Sequence, residues 1–287
     1  MHIARLISMK KTDPCILCDT IEFKTIHQKN QYRYFCCLNC QLVSLYPRPT
    51  LQMLKEYYRD YLPGKPEDIR KWEAMIRPVV TKSADLINFR SRTGGKKIMD
   101  IGCGYGFLLK EMKARGWDVE GLEVSQTGRE YALRNWNIPV YSEPLENLGL
   151  SANTFDVVTL LYVIEHVFNP LSLLSEINRV LKPEGFVLLR WPHTTPVVKI
   201  LGPLSKKLDL YHTPYHLYDF SPKTIEKMLF IAGFKSVETV ISGHTMPADR
   251  LSRWPSMVFG KLSDFLFSFS KGKILLPGIS KITLAFK

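Results

Sequence analysis

The stretch that most limits what this 287-residue chain can become is Ile98-Met99-Asp100-Ile101-Gly102-Cys103-Gly104-Tyr105-Gly106-Phe107. A short strand, Ile98–Ile101, runs into three glycines at alternate positions, and an amphipathic helix from Phe107 to Arg115 begins at once. Glycines are needed where the backbone turns sharply and where a ligand must approach without a Cβ in the way. The helix start that follows offers free N–H groups and the positive end of a dipole, suited to a carboxylate or another anion. Glu123 closes the next strand, Val119–Val124. A carboxylate at that place can accept both hydroxyls of a ribose. The glycines run G-x-G-x-G with Asp100 two residues ahead of the first, whereas a dinucleotide fingerprint needs G-x-G-x-x-G.

From Lys96 onward the sequence alternates between the two periodicities. Strands are expected at Phe155–Leu161, Phe186–Trp191, Lys235–Ile241 and Lys281–Phe286, and helices at Gln126–Trp136, Leu171–Leu181 and from Ser221-Pro222 to Ala232. Repeated βα units of this length give an α/β domain, a mostly parallel sheet with helices on both faces. Ahead of it, Tyr46-Pro47-Arg48-Pro49-Thr50 punctuates the chain, Thr50 caps a short helix through Tyr58, and a longer helix runs from about Glu67 to Phe89. The expected division is a small module in 1–50, a helical linker or lid in 51–95, and the large domain in 96–287 with a helical insertion at 245–275. No run approaches the ~18 apolar residues of a membrane-spanning helix. Met1–Lys11 lacks the pattern of a secretory leader, so a cytoplasmic protein is expected.

The glycine turn resembles motif I of the class I S-adenosylmethionine-dependent methyltransferases. The resemblance continues through Phe155-Asp156-Val157-Val158, Val163-Ile164-Glu165-His166-Val167 and Leu181-Lys182-Pro183-Glu184-Gly185-Phe186, in the family's order over roughly 190 residues. It implies a Rossmann-like seven-stranded sheet whose last strand, Lys281–Phe286, is antiparallel. It further implies that Gly102, Cys103, Gly104 and Gly106 hold the methionine end of S-adenosylmethionine, with Asp100 near its amino group and Glu123 on its ribose. Leu161 and Tyr162 then line the methyl-transfer end. Quinone-biosynthesis O-methyltransferases resemble the Val163–Val167 stretch but carry E-x-x-E-H. Tyr162 stands at the first acidic position here, so no catalytic metal is expected at Glu165-His166.

A sulfonium is already an activated methyl donor, so the protein must chiefly align a nucleophile and exclude water. A hydroxyl acceptor also needs a base, and histidine is the usual one. His166, His193, His212 and His216 all fall at strand ends or shortly after the fifth strand of the domain. The lead-in Tyr211–Ser221 resembles H-L-Y-x-F-S-P segments of this methyltransferase group, and His216 is the candidate for the acceptor side. A purely structural role for His216, tying its loop to the sheet, stands beside it.

Residues 1–45 hold five of the six cysteines. Cys15-Ile-Leu-Cys18 and Cys37-Leu-Asn-Cys40 are two C-x-x-C pairs whose thiolates can converge on one tetrahedral zinc, in a zinc-ribbon-like module. Cys36 is an alternative to Cys37, and Asp19 and Gln41 stand where zinc ribbons often have glycine. The run Cys40–Thr50 resembles C-G-L-V-x-x-x-P-R-P segments of bacterial methyltransferases with such a module, which implies a structural zinc and a small-molecule acceptor, a saccharide or a lipid-linked precursor. The formal charge of +12 favours an anionic partner. With the ribbon, it keeps an RNA methyltransferase open as an alternative, and a non-catalytic zinc-containing binding protein on the same fold is the second. Leu251, Trp254, Val258, Leu262, Phe265 and Phe269 recur at helical spacing near basic residues, which suits packing on the sheet or on a second subunit, or peripheral membrane contact through 250–270.

Overall fold

The computed structural model describes residues 13–91, 94–206, 209–241 and 281–287, with scattered residues between 258 and 280. In chain order, β1 (Phe23–Lys29), β2 (Tyr32–Cys37) and β3 (Val43–Tyr46) form an antiparallel meander. Helices α1 (Leu51–Arg59) and α2 (Pro66–Arg90) follow. Thr50 caps α1 by accepting from the Met53 N–H, as its position predicts, and Pro66 opens α2 where no backbone donor is needed.

The large domain then runs β4 (Lys97–Ile101), α3 (Phe107–Ala114), β5 (Asp118–Leu122), α4 (Gln126–Trp136), β6 (Val140–Tyr141), β7 (Phe155–Leu161), α5 (Pro170–Val180) and β8 (Leu181–Trp191). A short helix α6 (Thr195–Leu201) and the two-residue β9 (Tyr218–Asp219) precede α7 (Pro222–Ile231), β10 (Ser236–Val240) and β11 (Lys281–Phe286). The sheet has seven strands in the order β10-β11-β8-β7-β4-β5-β6, with β11 antiparallel to both neighbours and the ladder from β8 to β6 parallel. The fold class is therefore the one the sequence implies.

Burial on both faces explains the composition of the central strands. All but the last residue of β7, FDVVTLL, is buried, because helices cover the sheet on each side. Helix ends follow local chemistry: Asn169 accepts from Ser172 N–H ahead of Pro170, and Ser221 with Thr224 forms a reciprocal cap around Pro222. The largest boundary shift is at β8. Strand β8 begins at Leu181, not Phe186, because Leu181 pairs with Phe155 and the ladder resumes at Phe186 against Val157 after a register shift. Glu184 takes a positive φ of 63° inside that excursion.

The N-terminal meander is not self-contained. β9 adds to β3 as a fourth, antiparallel strand, and Leu45 N–H donates to the Leu217 carbonyl at 2.9 Å. The insertion expected at 245–275 lies mostly outside the described residues. Within it, Val258, Leu262, Phe265 and Phe269 are exposed, and Phe265 stacks on Phe269. Among the described residues no helix is long and apolar enough to cross a membrane.

Gly102 is a tight point of the parallel core. Its φ is +70°, and an added Cβ would come 2.4 Å from Val163 Cγ2. Gly102→Ala is expected to cost roughly 2–4 kcal/mol, part from the left-handed backbone and part from the overlap. Denaturant unfolding of Gly102→Ala, Val163→Ala and the double variant checks this: the pair should lose less than the sum of the two single losses, and simple additivity would refute the steric share.

Candidate functional site

The order of strands reverses at β4, which lies between β7 on one side and β5 on the other. In an open parallel sheet that reversal leaves a crevice beyond the carboxyl ends of the strands, free of covering helix. The glycine turn leaves β4 at that place. Gly102, Gly104 and Gly106 all have positive φ (70°, 55° and 76°), and Gly106 caps α3. Gly102 N–H and Cys103 N–H both donate to the Leu122 carbonyl, so the turn folds back over the end of β5.

Glu123 follows β5 directly and is 8% exposed. Its Oε2 accepts from Gly104 N–H at 2.8 Å and its Oε1 from Ser125 N–H at 2.8 Å. Burial pushes its pKa upward, while these backbone donors and the neighbouring Arg129 pull it down. A carboxylate has about four acceptor positions, so two remain for a ligand. Asp100, buried on β4, accepts from the Thr159 hydroxyl at 2.6 Å. Burial raises its pKa to about 7; the Thr159 bond opposes that rise and the Glu123 charge adds to it. The two acids therefore form one buried anionic edge beside the turn.

The remaining predicted residues fall around this edge. Cys103 is buried with its thiol against Gly121, where a Cβ would lie 2.7 Å from the sulfur, and burial pushes its pKa well up, as befits a space-filling side chain. Leu161 is the last residue of β7 and Tyr162 follows it. Tyr162 takes a positive φ of 60°, and its hydroxyl donates to Ser280 Oγ at 3.0 Å and accepts from Arg190 Nε at 2.8 Å. His216 lies apart from the glycine turn, in the segment before β9. It is 8% exposed, with its ring 4.7 Å from that of His166 and 5.0 Å from that of His212. Burial and these two rings hold its pKa well below the usual histidine range, so it is neutral. Val163 joins the two regions, touching Gly102 three residues ahead of His166.

Several contributors carry no sequence signature. Leu62 packs over the turn, where a Cβ on Gly128 would lie 2.8 Å from its Cδ1, and the Tyr105 hydroxyl donates to the Pro63 carbonyl. Tyr58 donates to or accepts from His166 Nδ1 at 2.7 Å. Thr194 and Thr195 N–H at the start of α6 donate to buried Asp219. The missing side chains of Gly102, Gly121 and Gly128 are the local trace that such close approaches leave in the sequence. A cavity of about 200 Å³ opens beside the end of β8, lined by Pro192, His193, Thr194, Val197, Leu210 and Ser280. A larger groove, about 380 Å³, lies at the opposite edge of the sheet around Lys235 and Lys287, away from the glycine turn.

In the N-terminal module the four expected cysteines converge. Cys15 Sγ lies 3.5 Å from Cys40 Sγ, Cys18 Sγ lies 3.5 Å from Cys37 Sγ, and all four sulfurs are within 4.8 Å of one another. Cys36 is not among them: its thiol turns to the Gln41 side chain and carbonyl. Asp19 and Gln41 adopt the left-handed φ (55° and 66°) that glycine would take after each knuckle.

Comparison with known proteins bears on the family and the fold. A family model described as a methyltransferase domain matches residues 74–239. The chain is 31% identical over 133 residues to a ubiquinone biosynthesis O-methyltransferase of Acinetobacter baumannii, covering 44% of this chain and 56% of that protein. It is 28% identical over 149 residues to the protein of the same name from Dechloromonas aromatica, covering 48% and 62%. The matches thus span little more than half the length of these curated relatives. A SAM-dependent methyltransferase from Archaeoglobus fulgidus has the same fold with a TM-score of 0.52 at 19% identity, over 75% of this chain and 98% of that one. Phosphoethanolamine N-methyltransferase 2 of Haemonchus contortus, in complex with S-adenosyl-L-methionine, gives a TM-score of 0.56 at 19% identity, over 85% and 62%. With the family model covering more than half of its length and its seven-stranded sheet shared by these structures, the chain belongs to the methyltransferase-domain family and has the fold of the S-adenosylmethionine-dependent enzymes.

Proposed function

We propose that this protein transfers a methyl group from S-adenosylmethionine to a small-molecule acceptor. The observation that carries the reading is the Glu123 carboxylate, fixed by Gly104 and Ser125 N–H at the mouth of the crevice with two acceptor positions left for vicinal hydroxyls. Asp100 supplies the countercharge for an amino group. The turn Gly102–Gly106, with Cys103 filling behind it, lets the ligand lie against bare backbone, and the start of α3 favours its carboxylate. The bound sulfonium supplies the activated methyl group, and what this chain adds is alignment and exclusion of water.

The acceptor side is read from Leu161, Tyr162 and His216 with its neighbours His166 and Glu165. The relatives named for ubiquinone biosynthesis support an acceptor of small-molecule size, and a hydroxyl is the acceptor atom that their name favours. A saccharide or a lipid-linked precursor remains the finer reading of the N-terminal module. We assign that module a structural zinc. Tetrahedral thiolates at ~2.3 Å from zinc stand roughly 3.8 Å apart, close to the 3.5 Å separations of Cys15 from Cys40 and of Cys18 from Cys37.

Calorimetric titration tests the cofactor site. Glu123→Ala should weaken binding of S-adenosylmethionine and S-adenosylhomocysteine at least tenfold while the protein stays folded by circular dichroism, the loss of about 1.4 kcal/mol or more being that of two charge-assisted hydrogen bonds. Wild-type affinity unchanged by the substitution would overturn the assignment.

The raised pKa of Asp100 adds a pH signature. Its carboxyl is ionised only above about 7, and the ionised form is the one that holds an ammonium. Affinity for S-adenosylmethionine should therefore rise between about pH 6 and 8, and Asp100→Asn should flatten that slope; a slope identical in the variant removes Asp100 from the site.

Zinc is checked by metal analysis of protein purified without added metal, with a chromogenic chelator following release. A single tightly held zinc, lost in Cys18→Ser, is the expected result, and protein that folds and melts identically without metal would contradict it.

A further inference from the structure

The chain between β10 and β11 leaves and rejoins the sheet at one end. Val240 pairs with Ile282, and Lys281 pairs with Trp191 at the carboxyl end of β8. Strand β8 is parallel to β7, and β7 to β4, so this is the end from which the glycine turn departs. Ser280, next to β11, accepts from the Tyr162 hydroxyl beyond β7. The insertion is therefore rooted at the rim of the crevice. Helix α6 leaves the same end of the sheet just after β8. It exposes Lys199 and Ile200, and Leu204 is exposed in the turn that follows.

Where residues 258–269 are described they are α-helical, and their polarity is inverted. The small residues Gly260 and Ser263 are buried, whereas Val258, Leu262, Phe265 and Phe269 are exposed. Positions i, i+4, i+7 and i+11 share one face of a helix, so these side chains form a single outward stripe. Phe265 is 63% and Phe269 78% exposed, and their rings stack with centroids 6.0 Å apart. A helix packed to close a core turns its bulk inward. This one turns its small side inward and its bulk to solvent, the mark of a face kept for a partner.

We propose that this stripe docks the protein on an anionic lipid bilayer surface. Charge selects that partner. The sequence from 250 to 273 carries Arg250, Arg253, Lys261, Lys271 and Lys273 against one acid, Asp264, in a chain of formal charge +12. Lys261 is exposed next to Leu262. Basic residues around an apolar face are drawn to anionic headgroups, while Phe and Leu enter the boundary between headgroups and acyl chains. A second copy on the same face would instead set this basic stretch against itself. Among the described residues no helix can cross a membrane, so the contact lies in the plane of the surface. Docking by this rim would bring the crevice to an acceptor anchored in the bilayer; that use rests on the methyl-transfer reading, while the docking itself does not.

The test pellets the full-length protein with vesicles of phosphatidylcholine alone and with vesicles that are about one-third phosphatidylglycerol. The wild type should bind the anionic vesicles at least tenfold more tightly than the neutral ones, and added salt should weaken that binding. Phe265→Ser combined with Phe269→Ser should weaken it at least tenfold. Both side chains are exposed, so the melting temperature and the affinity for S-adenosylmethionine should not change. Lys261→Glu should weaken it in the same direction, which keeps the proposal open to refutation if the double variant fails to fold. Wild-type protein that stays in the supernatant with anionic vesicles overturns the proposal, as does a folded double variant that binds them as the wild type does. Sedimentation velocity without lipid examines the rival partner: a dimer that the same substitutions dissociate would give the stripe to a second copy and overturn the membrane assignment. Wild-type protein that binds vesicles but no S-adenosylmethionine would count against the methyl-transfer reading and leave the docking standing.

Discussion

Because Glu123 Oε2 accepts from Gly104 N–H and Oε1 from Ser125 N–H, the end of β5, the glycine turn and the start of α4 cannot move independently. These three pieces are joined by backbone donors that have no other partner in a turn this tight. Leaving each one buried and unsatisfied costs about 1–3 kcal/mol. The small residues nearby follow from the same constraint. A side chain on Gly128 would meet the Gly104 carbonyl oxygen at 2.7 Å and Glu123 Cγ at 3.1 Å, and one on Gly121 would meet the Cys103 sulfur. Glycine at 102, 121 and 128 is thus the cost of bringing a turn, a strand end and a helix start within reach of one carboxylate. On the methyl-transfer reading, that preorganised carboxylate is what makes the crevice a site and not merely a gap.

The cysteine module is wired into this domain through the stretch Tyr211–Asp219, with Lys29 paired to Asp209 and Arg48 bonded to the Phe168 carbonyl beside it. Tyr34 on β2 stacks on Tyr211 at 4.1 Å between ring centres, and its hydroxyl bonds the carbonyls of Tyr211 and His216. One residue later Leu217 N–H donates to the Glu165 carbonyl, while the Leu217 carbonyl accepts from Leu45 N–H. Backbone 216–219 is therefore clamped between the meander and the turn after β7. A metal that holds Cys15, Cys18, Cys37 and Cys40 together would stiffen β2 and β3 and, through them, the position of His216. On the methyl-transfer reading, the module need not touch a substrate to matter for the acceptor side.

The crevice was legible in sequence because its determinants are local. Asp100, Gly102, Gly104 and Gly106 lie within seven residues, and Glu123 ends the adjacent strand, so spacing alone brings them together. The four cysteines were legible for the same reason, two short knuckles, one ahead of β1 and one at the end of its neighbour β2. What escaped was non-local. Thr159 reaches Asp100 only because β7 pairs with β4 in the register Asp100–Thr159. Leu62, Tyr58 and Tyr215 come from segments whose approach depends on how α1 and the 211–218 stretch pack, and no periodicity encodes that. The same holds for β9, whose two residues bear no strand pattern and pair with β3 because the loop lands there. Tyr162 was readable as a residue following β7, but its engagement with Arg190 and Ser280 needed the neighbouring strands β8 and β11 in place.

The electrostatics of the crevice run against those of the whole chain. The formal charge is +12, yet the edge beside the glycine turn is built from two buried acids, Asp100 and Glu123, each with its pKa raised by burial. Distant surface lysines are screened over about 8–10 Å at ordinary ionic strength, whereas a ligand within the crevice feels the nearby acids in a medium of lower dielectric. That local field favours a cationic ligand and, on the methyl-transfer reading, distinguishes donor from product. S-adenosylmethionine brings both a sulfonium and an ammonium; after transfer the sulfur is neutral and one positive charge is gone. The attraction that draws the donor in is thereby weakened by the reaction itself, while the hydroxyl contacts at Glu123 are common to both ligands. The anionic edge can therefore favour the donor over its product, with no part of the fold required to move.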